Sequence, residues 1–496
     1  MSTPFSFVEG LESSDTLIPT LNFSPVFDML NCNNTIGPMG VSYNNGGLCR
    51  NNAVAGGNNT QKTGFTVLAM VRVLVRYDGS VVFFFDIEGT FDVDRLEEAV
   101  DREIGIPGYF REKILNKRFF YFSRNDIKNP CDGTFVHDKF KSIAGWIKEE
   151  IKNKKDIYTT TPYLGNDGEP MKIITPIFTV VDSISEMHFQ KVSEHFQEGE
   201  VDEGGAKKTR DLAIGNLRRI VYEDADVLGG TSGVYQMWTA QMVDKINLTG
   251  RPEEKESVYI RPGKKLKGPK SMMRLPQIGH EIIKGSQMKQ GQEWMYPNPF
   301  GKDVEISTDA KEIPDLMYYT NQPYRNKAGM SGINAFFIGS QSLGIQEGLT
   351  MYHTLKTNKY FGMDGSDRNH WCILYPEGNA GRTTIWNKIV EDRKMERAYT
   401  ILYHMWFQQT FHLNLEKKYR ITPQELYEKI VARGLDWNDI LENTVDYWFT
   451  NPDIKKHTVT THELIRIAIG EREPYWIGRE PGPFTNSVKP AVKKAA

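Results

Sequence analysis

A chain of 496 residues with 25% charged and 39% hydrophobic residues and a formal charge of -2 is too long for one small core and too ordinary in composition for a fibre or a wholly disordered chain, so a large domain with at least one companion is expected. The near-neutral balance says nothing by itself about nucleic acid; any anionic partner must meet a local basic surface. The most apolar run, VVFFFDI at 81–87, falls short of the roughly 18 residues of a membrane helix. With no secretory leader pattern, and with Cys32, Cys49, Cys131 and Cys372 in neither zinc nor redox spacing, a cytoplasmic protein with reduced thiols and no membrane partner is expected.

Residues 1–30 mix apolar and polar side chains without a sustained period, and read either as an arm docking on a neighbouring subunit or as a disordered leader. Residues 31–61 are rich in Gly and Asn and read as loop. The segment AGGNNTQKTGF (55–65) places Gly56 and the pair Lys62-Thr63 where the pattern G-x-x-x-x-G-K-[ST] requires them, with Gln61 instead of the second glycine. Phe65, Leu68 and Val71 follow at helical spacing, so a helix starts at Lys62 and Thr63. A phosphate loop needs backbone N–H groups at a helix N-terminus, a lysine for the phosphates and a hydroxyl for magnesium. Gly56, Gly57, Lys62 and Thr63 can supply these, whereas Gln61 narrows the backbone freedom and adds bulk. On these residues alone, a turn capping a helix is an equal alternative.

SVVFFFDIEG (80–89) reads as a buried parallel strand closed by Glu88 and Gly89. Helical text covers about 92–103 and 135–153. A second buried strand, MKIITPIFTVVDS (171–183), contains Asp182 near its end, and a third, GVYQMWTAQ, finishes at Gln241. Strands alternating with helices give an α/β fold with a mainly parallel sheet, whose ligands sit beyond the carboxyl ends of the strands. Glu88, Asp182 and Gln241 all fall at such ends, where an acid can orient a magnesium-bound water or polarise an attacking one. Each acid alone also reads as a strand or helix cap. From 346 onward the text turns helical and rich in Trp and Tyr, giving an expected core over 31–345 and a smaller C-terminal domain over 346–496, whose tail SVKPAVKKAA reads as mobile.

FFFDIEGTFDVDRL (83–96) resembles the segment of RecA/RadA-type recombinases that carries their catalytic glutamate, and FTVVDSISEM (178–187) resembles their magnesium-site strand. LIPTLNFSP (17–25) and TTIWNKIVEDRKMERAY (383–399) extend the resemblance to the UvsX-type recombinases of T-even phages, which tolerate a bulky residue at the Gln61 place. The resemblance implies a RecA-like P-loop core, a DNA-dependent ATPase using ATP and Mg2+, and homologous recombination by a filament of many copies on single-stranded DNA, pairing it with duplex DNA. Mediator and single-strand-binding proteins are the implied partners, and a host cytoplasm the implied location if the chain is phage-encoded. Under it Gly56, Gly57, Gln61, Lys62 and Thr63 bind the nucleotide, Thr63 and Asp182 hold the metal, Glu88 activates water, and Gln241 senses the γ-phosphate. YRNKAG (324–329) is similar to a segment reaching the neighbouring subunit's γ-phosphate, with Arg325 and Lys327 in the cationic places.

Two loops, at about 186–208 and 242–276, are implied to bind the single strand. The second contains IRPGKKLKGPKSMMR (260–274), where Arg261, Lys264, Lys265, Lys267, Lys270 and Arg274 form a run without an acid that can neutralise phosphates. In the first, Lys207, Lys208 and Arg210 follow an acidic stretch; Tyr259 is an aromatic candidate for stacking on a base. Two other readings stay open: a recombinase-like accessory protein that hydrolyses poorly because of Gln61, and a ring-forming RecA-fold helicase.

Overall fold

The computed structural model describes residues 17–153, 157–190, 203–245, 260–289, 312–330, 332–366, 369–381 and 384–483. Its central element is a ten-stranded sheet built from β1 (Asn51–Gly56), β2 (Val81–Asp86), β3 (Phe119–Ser123), β4 (Ile177–Asp182), β5 (Tyr235–Asp244), β6 (Lys264–Lys267), β7 (Ile278–Lys289), β8 (Glu312–Asn326), β9 (Ala335–Ser340) and β10 (Gly344–Ile345). The order across the sheet is β10-β9-β8-β7-β1-β5-β4-β2-β3, with β6 folded back on β5. From β7 to β3 every neighbouring pair is parallel; β8, β9, β10 and β6 join antiparallel. This is a mixed α/β fold with a largely parallel sheet.

Successive residues of the parallel strands face opposite sides, as the pleat requires. Val54, Phe84, Val180 and Met237 belong to one apolar core, and Ala53, Phe85, Val181 and Trp238 to another. The first core is covered by α1 (Lys62–Arg76), α2 (Val93–Ile104) and α5 (Glu347–Thr357), the second by α3 (Gly133–Lys152) and α4 (Glu203–Ser232). Burial on both faces explains the near-continuous apolar text of β2 and β4.

The structure departs from the sequence reading in several places. β5 runs on to Asp244, so Gln241 lies within the strand and not at its end, and the stretch read as a loop over 242–276 holds β6 and a 3-10 turn at Lys270–Met273. The Gly/Asn-rich stretch 31–61 contains β1, which is fully buried in the middle of the sheet. The residues of β1 are buried under both faces of the sheet, and Asn52 Nδ2 donates to Cys49 O at 2.6 Å and to Gln236 O at 2.9 Å. The run 171–183 is two strands, because Pro176 has no N–H to continue a ladder. Its first half, Pro170–Ile174, pairs with Tyr158–Leu164 outside the main sheet. Residues 17–30 pack on this chain itself: Phe27 meets Phe65 of α1 at 4.7 Å and Phe337 of β9 at 5.4 Å between ring centroids. Finally, α4 begins at Glu203, so Lys207, Lys208 and Arg210 stand on a helix and not in a loop.

The C-terminal region is mostly helical, with α6 (Ile385–Glu391), α7 (Arg393–Phe411), three further helices and a small three-stranded sheet. It shares the first core with the sheet, since Leu402 and Leu464 lie in the same cluster as Val54 and Phe65. Trp448 Nε1 donates to Thr20 O at 3.2 Å, tying this region to the N-terminal strap. The four cysteines are unpaired and buried; burial pushes the Cys49 and Cys372 thiols up to about 12, which makes both poor nucleophiles. No helix among the described residues is long and apolar enough to cross a membrane. Residues 1–16, 246–259 with Tyr259, 191–202 of the first expected loop, and the tail 487–496 lie outside the described residues.

Candidate phosphate-binding site

Beyond the carboxyl end of β1 the chain turns through Gly57–Gln61 into the first turn of α1. The first helical backbone bond runs from Phe65 N to Gln61 O at 2.9 Å. The N–H groups of the preceding turn therefore have no partner within the helix and face the direction from which an anion would be bound. Lys62 is 9% exposed and its Nζ donates to Gly57 O at 2.7 Å, so the ammonium folds over its own loop. Burial holds the Lys62 ammonium below its ordinary range, against the pull of Asp182 and Glu88. A largely buried ammonium that donates to a carbonyl, with two carboxylates nearby, gains further from a multiply charged anion.

Gln61 solves the missing-glycine problem in an unexpected way. Its backbone is left-handed, with φ 62 and ψ 24, the conformation that a glycine at this place would adopt freely. A non-glycine residue there costs about 1–2 kcal/mol. Against that cost, Gln61 Nε2 donates to Ser340 O at the end of β9, at 3.0 Å, a bond worth about 0.5–1.5 kcal/mol. The space a glycine would have provided is found three residues on, where a Cβ on Gly64 would lie 2.3 Å from Gln61 Oε1. Gln61→Ala keeps the strained backbone and loses the bond, so it is expected to lower stability by about 1 kcal/mol. Gln61→Gly relieves the strain as it loses the bond and is expected to be near neutral. Thermal midpoints of the two variants check this; equal losses would show that the left-handed backbone costs nothing here.

The two acids are placed by neighbouring strands. Asp182 ends β4, is buried, and accepts at Oδ2 from Thr63 Oγ1 at 2.7 Å and at Oδ1 from Thr239 Oγ1 of β5. Burial raises its carboxyl above the ordinary range, with the two threonine hydroxyls and Lys62 pulling it back. Glu88 sits just after β2 on a turn organised by Asp86, whose carboxylate accepts from Gly89 N at 2.8 Å, Phe91 N at 3.0 Å and Tyr121 Oη at 2.9 Å. Asp182 O also receives Ile87 N at 2.7 Å and Glu88 N at 3.2 Å. Half-buried Glu88 is pushed up by burial and by the Asp182 charge, with Lys62 opposing.

Lys62, Thr63, Glu88 and Gln241 line one cavity of about 900 Å³, with Asp182 beneath Thr63. That is at the upper end of the roughly 300–1,000 Å³ usual for ligand pockets. The cavity runs along α1 past Leu68 and Val71 to Arg72, which is fixed between Glu103 and Glu347. Arg95 of α2 braces the opposite rim, donating to Gln341 O at 2.7 Å and Ser342 O at 3.1 Å. A triphosphate with Mg2+ fits the residues present: a hydroxyl and a carboxylate stand in contact beside a lysine and a helix N-terminus. No cluster of three metal-ligating side chains occurs among the described residues. Magnesium does not need one, because it is commonly held by one or two carboxylates with the remaining positions filled by phosphates and water.

The other candidates lie elsewhere. Arg325 pairs in register with Gly279, and Gly279 with Ala53, whereas the phosphate loop leaves β1 at Gly56. Arg325 and exposed Lys327 thus lie towards the opposite ends of the parallel strands, on the order of 10 Å or more away along the strand direction. Arg325 Nε donates to Pro276 O at 2.8 Å. Of the basic run, Lys264 pairs with Asp244 at 2.5 Å, Lys267 with Glu186 at 2.7 Å, and Arg261 with fully buried Glu281 at 2.6 Å. Lys265, Lys270 and Arg274 are exposed. Arg210 is half-buried on α4, and the side chains of Lys207 and Lys208 lie outside the description.

Gln241 is opposite Gly56 on one side and Lys267 on the other. Its N–H donates to Ser185 Oγ at 2.7 Å, and that hydroxyl donates in turn to Lys267 O at 2.6 Å. Sequence reading missed Asp86, Ser185 and Thr239. Only Thr239 left a usable trace, as a lone hydroxyl inside an apolar strand two residues before Gln241 and therefore on the same face. No protein-family model matches the chain, and no curated protein matches it in sequence.

Proposed function

We propose that this chain is a RecA/RadA-type recombinase, with a RecA-like P-loop core, that hydrolyses ATP and assembles on single-stranded DNA, nearest in character to the UvsX type. The observation that carries the reading is β5: its Gln241 lines the cavity beside Lys62 and Glu88, and the same residue pairs with Lys267 of the basic β6 hairpin. A change at the cavity therefore has one strand to travel before it reaches a cationic surface.

In this mechanism Lys62 and the α1 N-terminus hold the phosphates, and Thr63 and Asp182 hold the metal. Bound Mg2+ supplies charge neutralisation on the transferring phosphate. Glu88 orients and deprotonates the attacking water, in a cavity that Leu68 and Val71 also line. Lys265, Lys270 and Arg274 contact DNA phosphates; Lys264, Lys267 and Arg261 keep the hairpin in shape through their ion pairs.

The test is ATP hydrolysis with and without single-stranded DNA, together with oligonucleotide binding by fluorescence anisotropy across a salt series. Stimulation by DNA is expected, and each of Lys265→Glu, Lys270→Glu and Arg274→Glu is expected to weaken binding and flatten the log–log salt slope by about 0.7. Lys264→Ala, already paired with Asp244, is expected to alter that slope less. Hydrolysis indifferent to single strands would favour an accessory protein over a recombinase.

A further inference from the structure

Asp182 is approached by hydroxyls from two different elements. Thr63 belongs to the first turn of α1 and lines the cavity; Thr239 lies within β5, fully buried, opposite Val54 of β1. The two threonines donate to different oxygens of the same carboxylate. A hydroxyl in the interior of a strand costs about 1–3 kcal/mol if left unpaired, so the bond to Asp182 fixes Thr239 as firmly as it fixes the acid. A hydroxyl that offers a lone pair to a metal keeps its proton for a hydrogen bond, so Thr63 can face a cation and still donate to Oδ2. Thr239 holds the other oxygen, Oδ1, from a strand that does not belong to the loop, and so fixes the rotation of the carboxylate independently of Thr63.

We infer that Thr239 is a positioning residue for the divalent cation: by holding Oδ1 of Asp182 from β5 it presents Oδ2 towards Thr63 and the phosphate loop, and so sets how tightly the metal is held. This rests on the reading of the cavity as a magnesium–nucleotide site. Partners of metal-holding groups typically matter by about 10–100-fold in metal affinity. Thr239 also shares its strand face with Gln241, two residues on, so the same strand that carries the basic hairpin restrains the metal acid.

The test uses the full-length protein with ATP and Mn2+ as a stand-in for Mg2+, reading free Mn2+ by electron paramagnetic resonance, and separately the Mg2+ concentration that half-saturates binding of a fluorescent ATP analogue. Thr239→Val matches the shape and removes the donor; it is expected to raise the half-saturating metal concentration by about 10-fold or more, with Thr239→Ser restoring it to within a few-fold. Thr239→Ala, which cannot overpack, replaces Thr239→Val if that variant does not fold. A wild-type metal titration in Thr239→Val or Thr239→Ala, even with a lowered thermal midpoint, overturns the inference and leaves the nucleotide site standing. Absence of nucleotide binding by the unaltered protein overturns both.

Discussion

Glu88→Gln is expected to reduce ATP hydrolysis by about 10²–10⁴-fold while ATP binding persists. The substitution keeps the size and hydrogen-bonding reach of the side chain and removes its capacity to take a proton. On the proposed reading the phosphates are held by Lys62, Thr63 and the start of α1, which line the same cavity, and not by Glu88. Lys62→Ala separates the two roles: it removes the cation from the loop, so binding and hydrolysis fall together. Single-turnover hydrolysis and equilibrium binding of a fluorescent nucleotide, measured side by side, distinguish these patterns. Loss of binding in Glu88→Gln, or unchanged turnover, would remove Glu88 from the mechanism.

The pH profile gives the same residue a second signature. Burial and the neighbouring Asp182 hold the Glu88 carboxyl above the ordinary glutamate range, and a base must be ionised to act. Activity is therefore full above the raised value and declines as pH falls through it, at a higher pH than an unperturbed glutamate would give. Positive charge at Asp182 weakens the repulsion, so higher magnesium should move this acidic limb downward.

How much of this was legible in the chain follows from how local each signal is. The helix at Lys62 and the strands ending at Asp86 and Asp182 are written in nearest-neighbour pattern: spacing at 3.6 residues, or an apolar run closed by an acid. β1 is not, because Asn51, Asn52, Ala53 and Gly56 are poor strand formers, and they take that form only because β5 and β7 supply hydrogen bonds from either side. The left-handed backbone of Gln61 is equally invisible, since its compensating partner, Ser340, comes from a distant strand. The charge run 260–274 shows the limit in the other direction. It names six cations, but the fold commits three of them to Asp244, Glu186 and Glu281. Composition cannot anticipate that division, because two of those acids lie beyond the hairpin.

Arg325 and Lys327 yield the second large effect. Arg325 lies level with Ala53 and not with Gly56, where the phosphate loop leaves β1, which puts both cations on the order of 10 Å or more from the loop of their own chain. On the proposed filament reading they act on the nucleotide of a neighbouring copy, where a cation opposite the transferring phosphate is worth about 10³–10⁵ in rate. The double variant Arg325→Ala/Lys327→Ala is therefore expected to bind ATP normally and to lose hydrolysis by at least about 100-fold. Mixing is the decisive measurement. A Lys62→Ala copy is inactive through its own cavity but retains both cations; the double variant retains the cavity and lacks the cations. On single-stranded DNA an equimolar mixture is expected to regain a substantial fraction of wild-type turnover, because each mixed seam of one orientation combines an intact cavity with intact cations. A mixture no more active than its two components, with both variants shown to assemble, would return Arg325 and Lys327 to the role their contacts already describe, with Arg325 bracing Pro276 at the base of the basic segment.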